Sequence, residues 1–84
     1  MTETEIYAGL QSVFDRVFRR HDIKLKPELT AADVPGWDSF RYVSLIVATE
    51  EHFGIKLGRD EIDELKNVGD LAAAVAGRMP PPPQ

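Results

Sequence analysis

Ser39 is the hydroxyl whose setting could carry chemistry. It closes the run Val34-Pro35-Gly36-Trp37-Asp38-Ser39, in which proline and glycine enforce a turn and Asp or Ser begins a helix. A hydroxyl at the end of a long loop can stand exposed, and the free N–H groups and dipole of the helix that follows favour a phosphate anion. A phosphodiester on Ser39 therefore suits this position. Read as plain structure, the same pair is a helix cap, with either Asp38 or Ser39 accepting from first-turn amides. No other reactive groups converge. His21 and His52 lie far apart, lack a partner at metal-ligand spacing, and read as surface histidines near helix ends. Glu50-Glu51 and the pair Glu61 and Glu64 look like paired carboxylates. A chain this small has little room for a pocket that would raise one of their pKa values, so they read as solvated acidic surface. The absence of cysteine excludes a disulfide framework, a thiolate zinc site and a cysteine nucleophile. There is no glycine-rich phosphate loop.

Amphipathic elements must position Ser39. Ile6, Leu10, Val13, Phe14, Val17 and Phe18 recur on a 3.6-residue period, which predicts a first helix over residues 3–20. Thr2 and Glu5 form a capping-box pattern at its start. Arg16, Arg19 and Arg20 suit the negative pole at its end. Residues 21–38 carry Pro27, Pro35 and Gly36 and form a long connection. Its scattered Ile23, Leu25, Leu29, Val34 and Trp37 predict that it is packed down. A second helix over 39–53 stops at Gly54, a natural left-handed position. Two apolar stripes can be drawn on this helix. Tyr42, Leu45, Ile46, Thr49 and Phe53 share one, and Phe40, Val43 and Val47 share another. The second stripe is either extra core or an exposed contact patch. A short helix is expected over 59–65, and a last one over 68–77, capped by Asn67 with Asp70 at N3 and closed by Gly77. Pro80 to Pro83 cannot continue it, so an extended, solvated tail over 80–84 is expected after a single domain of residues 1–79. The fold class is all-α, a small four-helix bundle, with a three-helix bundle irregular over 55–66 as the runner-up.

Composition narrows the function. The chain has 84 residues, ten Lys and Arg against fourteen Asp and Glu, and a net charge of −4. That is one domain and a poor candidate for nucleic-acid binding, which favours basic chains. Uncharged stretches in the body, such as Tyr42 to Thr49, fall far short of the ~20 apolar residues a membrane span needs. The acidic N-terminus is not a secretory signal. A soluble, cytoplasmic monomer is expected, with its acidic surface in the second half of the chain.

Gly36-Trp37-Asp38-Ser39-Phe40, then Val43, Leu45-Ile46 and Glu50-Glu51-His52-Phe53-Gly54-Ile55, resemble the acyl carrier protein family. That family has a D-S-L core and an E-E-x-F-G-I pattern at the end of the same helix. The first helix, the long loop, the short third helix and Asn67-Val68-Gly69-Asp70-Leu71 match in order and spacing, so the resemblance spans residues 3–78. It implies that Ser39 bears 4′-phosphopantetheine and that Asp38 is the adjoining acid used with the phosphopantetheinyl transferase. It also implies that acyl- or aminoacyl-loading enzymes and downstream biosynthetic enzymes are partners. Phe40 stands where the family usually has Leu or Met. Arg41 and Tyr42 follow where fatty-acid-synthesis members often carry an acid, and Ser44 replaces a frequent Glu. A dedicated polyketide, peptide, modified-lipid or aminoacyl route therefore fits as readily as bulk fatty acid synthesis.

The expected function is a non-catalytic carrier, with partners docking along the second helix at Phe40, Val43, Val47, Glu50 and Glu51. Arg41 is expected to repel a partner bearing a basic cluster at that spot. The alternatives are a helical interaction module without a prosthetic group, which has no use for an exposed Ser39, and a small enzyme, which lacks a convergent catalytic set.

Overall fold

The computed structural model describes residues 2–19 and 22–78. Four α-helices follow one another: α1 (Glu3–Phe18), α2 (Ser39–Phe53), α3 (Arg59–Asp63) and α4 (Val68–Arg78), with a 3-10 turn at Ala31–Asp33 in the connection between α1 and α2. The all-α bundle expected from the hydrophobic periods is the fold. α1 is its spine, packing against both α2 and α4. Its stripe of Ile6, Leu10, Val13, Phe14 and Phe18 is buried against Leu45, Ile46 and Phe53 of α2 and Val68, Leu71 and Val75 of α4. Burying such side chains contributes about 1.5–3 kcal/mol each. The one fully buried polar residue among those described, Thr49, is satisfied within its own helix, its hydroxyl donating to the Leu45 carbonyl at 2.7 Å.

α1 begins as its sequence demands. The Thr2 hydroxyl accepts from the Glu5 amide at 3.2 Å, and the Glu5 carboxylate accepts from the Thr2 amide at 2.9 Å. The Thr2 amide, and after it the Thr2 hydroxyl donating to the same carboxylate at 3.0 Å, hold the Glu5 carboxyl below its ordinary pKa. The helix ends at Phe18, two residues before the expected boundary, because Arg19 adopts a left-handed conformation (φ 54°) as the C-cap. The turn brings Ile23 over α1, where its carbonyl accepts from Gln11 Nε2 at 2.6 Å. Arg20 and His21 lie outside the described residues.

The long connection is packed down, with Ile23, Leu29 and Val34 buried. It crosses the start of α4, whose first amides have no partners within their own helix. The Val68 amide donates to the Leu29 carbonyl at 2.9 Å, and the Gly69 amide to the Pro27 carbonyl at 3.0 Å. Asn67 Oδ1 caps the Asp70 amide at 2.8 Å, as its sequence position predicts.

Two boundaries differ further along. α3 stops at Asp63 rather than at residue 65, because the turn tightens: Glu64 and Leu65 donate to carbonyls three residues back, Glu61 and Ile62. α4 runs through Gly77 to Arg78. Gly77 is not among the glycines at positive φ, so it does not close the helix. Arg78 instead forms an ion pair with Glu61 of α3. The expected proline tail, and the domain boundary before it, fall in residues 79–84, outside the described residues.

Gly9 marks the closest approach of α1 to α2. A Cβ there would lie 2.6 Å from Phe53 Cζ and 3.0 Å from His52 Nε2. Helix propensity alone would reward Gly9→Ala by about 1 kcal/mol. Overpacking against the buried Phe53 ring costs about 1–3 kcal/mol and wins. Gly77, with open space around its Cβ position, has no such opponent. Denaturant unfolding should therefore find Gly9→Ala destabilised and Gly77→Ala stabilised by up to about 1 kcal/mol.

Candidate functional site

The approach to Ser39 is built by a turn that only its own residues permit. The Trp37 amide donates to the Val34 carbonyl at 3.2 Å, enclosing Pro35 and Gly36. Gly36 has φ 88°, so proline and then glycine occupy the positions that a type II turn requires. The Asp38 amide then donates to the Gly36 carbonyl at 3.1 Å, and α2 starts at once.

Of the two possible caps, the structure uses Asp38. Its backbone is extended, its Oδ1 accepts from the Arg41 amide at 2.8 Å, and its carbonyl accepts from the Tyr42 amide at 2.9 Å. Ser39 is the first helical residue, and it is exposed. Its hydroxyl is thus not required by the fold. The first turns of α1, α3 and α4 carry Glu3 and Glu5, Asp60 and Glu61, and Asp70, respectively, whereas the first turn of α2 carries no acid. Beyond the Asp38 cap, the positive pole of α2 is left for an anion at Ser39.

A cleft of about 380 Å³ opens beside Ser39, between the connection, α2 and the segment joining α3 to α4. Trp37, Ser39, Tyr42, Leu45, Leu65 and Leu71 are among the residues that line it. The edge of Trp37 meets Phe14, with ring centroids 5.5 Å apart, which fixes the indole against α1. Sequence patterning placed Tyr42 in the core. Here it is half-buried, with its hydroxyl donating to the Ile62 carbonyl at 2.6 Å. Burial, and to a lesser degree the Asp63 charge, raise the Tyr42 pKa. The adjacency of Trp37 to Ser39 was the available signal for the cleft. The contribution of Leu65 and Leu71 had none, since they arrive from the far end of the chain.

The second apolar stripe of α2 is not core. Phe40, Val43 and Val47 are 78%, 63% and 46% exposed, and Glu51 continues the face as an exposed carboxylate. Two charged side chains beside this surface are engaged within the fold. Glu50 is half-buried, and its Oε2 accepts from the Leu57 amide at 2.8 Å. It secures the chain after α2. Arg41 is half-buried as well. Its Nη1 donates to the Val17 carbonyl at 2.8 Å, and its guanidinium lies 5.9 Å from the Phe18 ring centroid. It satisfies an end carbonyl of α1 and binds the start of α2 to it. Among the described residues no cluster of His, Cys, Asp and Glu could hold a metal ion, and no helix is long and apolar enough to cross a membrane.

Residues 16–75 match the family model described as a phosphopantetheine attachment site. The chain is 33% identical over 76 residues to the acyl carrier protein of Acidothermus cellulolyticus, covering 90% of each chain. It is 31% identical to the meromycolate extension acyl carrier protein of Mycolicibacterium smegmatis, over 88% of this chain and 75% of that one. The solution structure of holo acyl carrier protein from Geobacter metallireducens superposes with a TM-score of 0.81 at 41% identity, covering 87% of this chain and 83% of that one.

The cap assignment is testable apart from any activity. Asp38→Ala removes the acceptor of the Arg41 amide and should lower stability by about 1 kcal/mol. Asp38→Asn and Asp38→Ser, which keep a side-chain acceptor, should recover most of that loss in urea unfolding.

Proposed function

Because the chain belongs to the phosphopantetheine-bearing acyl carrier protein family, we propose that Ser39 is the residue that bears the arm. Proteins of this family are carriers used by other enzymes rather than catalysts, and they interact with a phosphopantetheinyl transferase and with biosynthetic enzymes. When bound, phosphopantetheine supplies a flexible chain ending in a thiol that holds an acyl group as a thioester. The observation that carries the assignment is the exposed Ser39 hydroxyl at the first residue of a helix whose opening turn is free of acid.

The surrounding residues have separable tasks. Pro35 and Gly36 turn the chain so that Ser39 faces outward. Asp38 caps the helix and adds a carboxylate beside the hydroxyl, where the transferase must act. The Ser39 and Phe40 amides lie in the first turn, without intrahelical partners, and suit a phosphodiester. Phe40, Val43, Val47 and Glu51 form the surface on which loading and downstream enzymes dock. The apolar side chains set dwell time, and the acid speeds encounter with a basic enzyme surface. Modest affinity is functional here, since a carrier must leave one enzyme for the next. The departures at Phe40, Tyr42 and Ser44 favour service in a dedicated pathway. The setting that follows is a cytoplasmic monomer, one carrier domain with a short proline-rich tail.

Incubation with coenzyme A and a broad-specificity phosphopantetheinyl transferase should add the mass of one phosphopantetheine. Ser39→Ala should abolish that gain. Its stability should stay within about 0.5 kcal/mol of the parent, as for a surface change that removes no cap. A mass gain by the Ala variant would move the site elsewhere.

Docking is tested on residues that the fold does not use. Glu51→Lys should slow transfer onto Ser39 at low ionic strength and flatten its salt dependence, and Val47→Ala should weaken binding by about 1 kcal/mol. Transfer rates unchanged at low salt would remove α2 as the docking surface. Glu50 is unsuitable for this test, because its loss frees the Leu57 amide.

A further inference from the structure

One wall of the cleft beside Ser39 is held by a hydrogen bond rather than by packing alone. Tyr42 lies one turn along α2 from Ser39, lines the cleft, and donates to the Ile62 carbonyl at 2.6 Å. Ile62 belongs to α3, a helix of five residues with no extensive interface to another helix. The Arg78–Glu61 ion pair and the half-buried Ile62 attach it as well, and the half-buried Leu65 anchors the chain just after it. Toward the interior the cleft ends on Leu45 and Leu71, which are 0% and 3% exposed. Close-packed residues of that kind do not open cheaply. The cleft can deepen only if α3 swings away, and the Tyr42–Ile62 bond opposes that motion.

Resting on the carrier reading above, we propose that Tyr42 limits how much of an acyl chain this protein shelters. With its hydroxyl bound to Ile62, only the carbons nearest the arm enter the cleft, and the remainder stays outside, within reach of the partner enzyme. The bond persists through neutral pH, because burial keeps the phenol protonated to higher pH than usual.

Trp37, the only tryptophan, lines the cleft, so its fluorescence reports entry. The experiment uses the full-length holo protein, confirmed by intact mass, carrying acetyl, butanoyl, octanoyl or dodecanoyl groups. Melting temperature, Trp37 emission and amide exchange of residues 59–63 are followed for the parent and for Tyr42→Phe, which keeps the ring and removes the donor. In the parent, the melting temperature and the blue shift of Trp37 should rise from acetyl to butanoyl and level off between octanoyl and dodecanoyl. In Tyr42→Phe, the α3 amides should exchange about fivefold faster before loading, the factor that one lost hydrogen bond implies. The melting temperature should then go on rising through dodecanoyl. A parent that gains as steeply as the variant through dodecanoyl, or a variant with the parent's plateau, overturns the proposal. Should Tyr42→Phe fail to fold, the parent series decides alone, a plateau supporting the proposal and a continued rise overturning it. Failure to gain phosphopantetheine mass at Ser39 would instead overturn the carrier reading, and this one with it.

Discussion

Two backbone hydrogen bonds, from the Val68 and Gly69 amides to the Leu29 and Pro27 carbonyls, hold the long connection across the start of α4. A segment of this length without regular structure would otherwise carry the entropy of a free loop. The two bonds also satisfy amides that the first turn of α4 must leave open. The loop gains anchors and the helix gains acceptors in one contact. Ile23, Leu29 and Val34 can then be buried, and the Pro35–Gly36 turn is delivered to a defined place beside α1. The position of Ser39 depends on that delivery.

α2 does two jobs on two faces. The inner face supplies Leu45, Ile46, Thr49 and Phe53 to the core. The outer face leaves Phe40 more than three-quarters exposed, which does nothing for folding. Its first turn is held by groups that leave Ser39 untouched: Asp38 accepts from the Arg41 amide, and the Arg41 side chain reaches back to the Val17 carbonyl. Ser39 thus takes no part in the hydrogen bonds that hold this turn, which suits the modification proposed for it.

The charged residues sort differently from a count of exposed acids. Glu50 and Glu51 are adjacent in the chain, yet one is turned inward to an amide and the other outward to solvent. Likewise Arg41 is engaged within its own chain. It lies against Phe18 and ends on a carbonyl. In a domain with so few core residues, long polar side chains are recruited to hold segments together, and their net charge at the surface is a poor guide to their task.

The four helices, the Thr2 and Asn67 caps, the Gly54 stop and the Asp38-Ser39 boundary were legible because each rests on contacts three or four residues apart, and such contacts are written directly into local sequence. The apolar periods likewise fixed which faces of α1 and α2 turn inward. The end of α1 at a left-handed Arg19 and the passage of α4 through Gly77 were not legible, since neither residue type states its backbone angle. The roles of Glu50, Arg41 and Tyr42 were beyond reach for a stronger reason. Their partners are Leu57, Val17 and Ile62, at separations of 7, 24 and 20 residues. The sequence by itself determined that Ser39 begins an amphipathic helix after a tight turn. Only the tertiary structure decided which side chains close the space around it, because bonds between distant segments exist only after the core has brought those segments together.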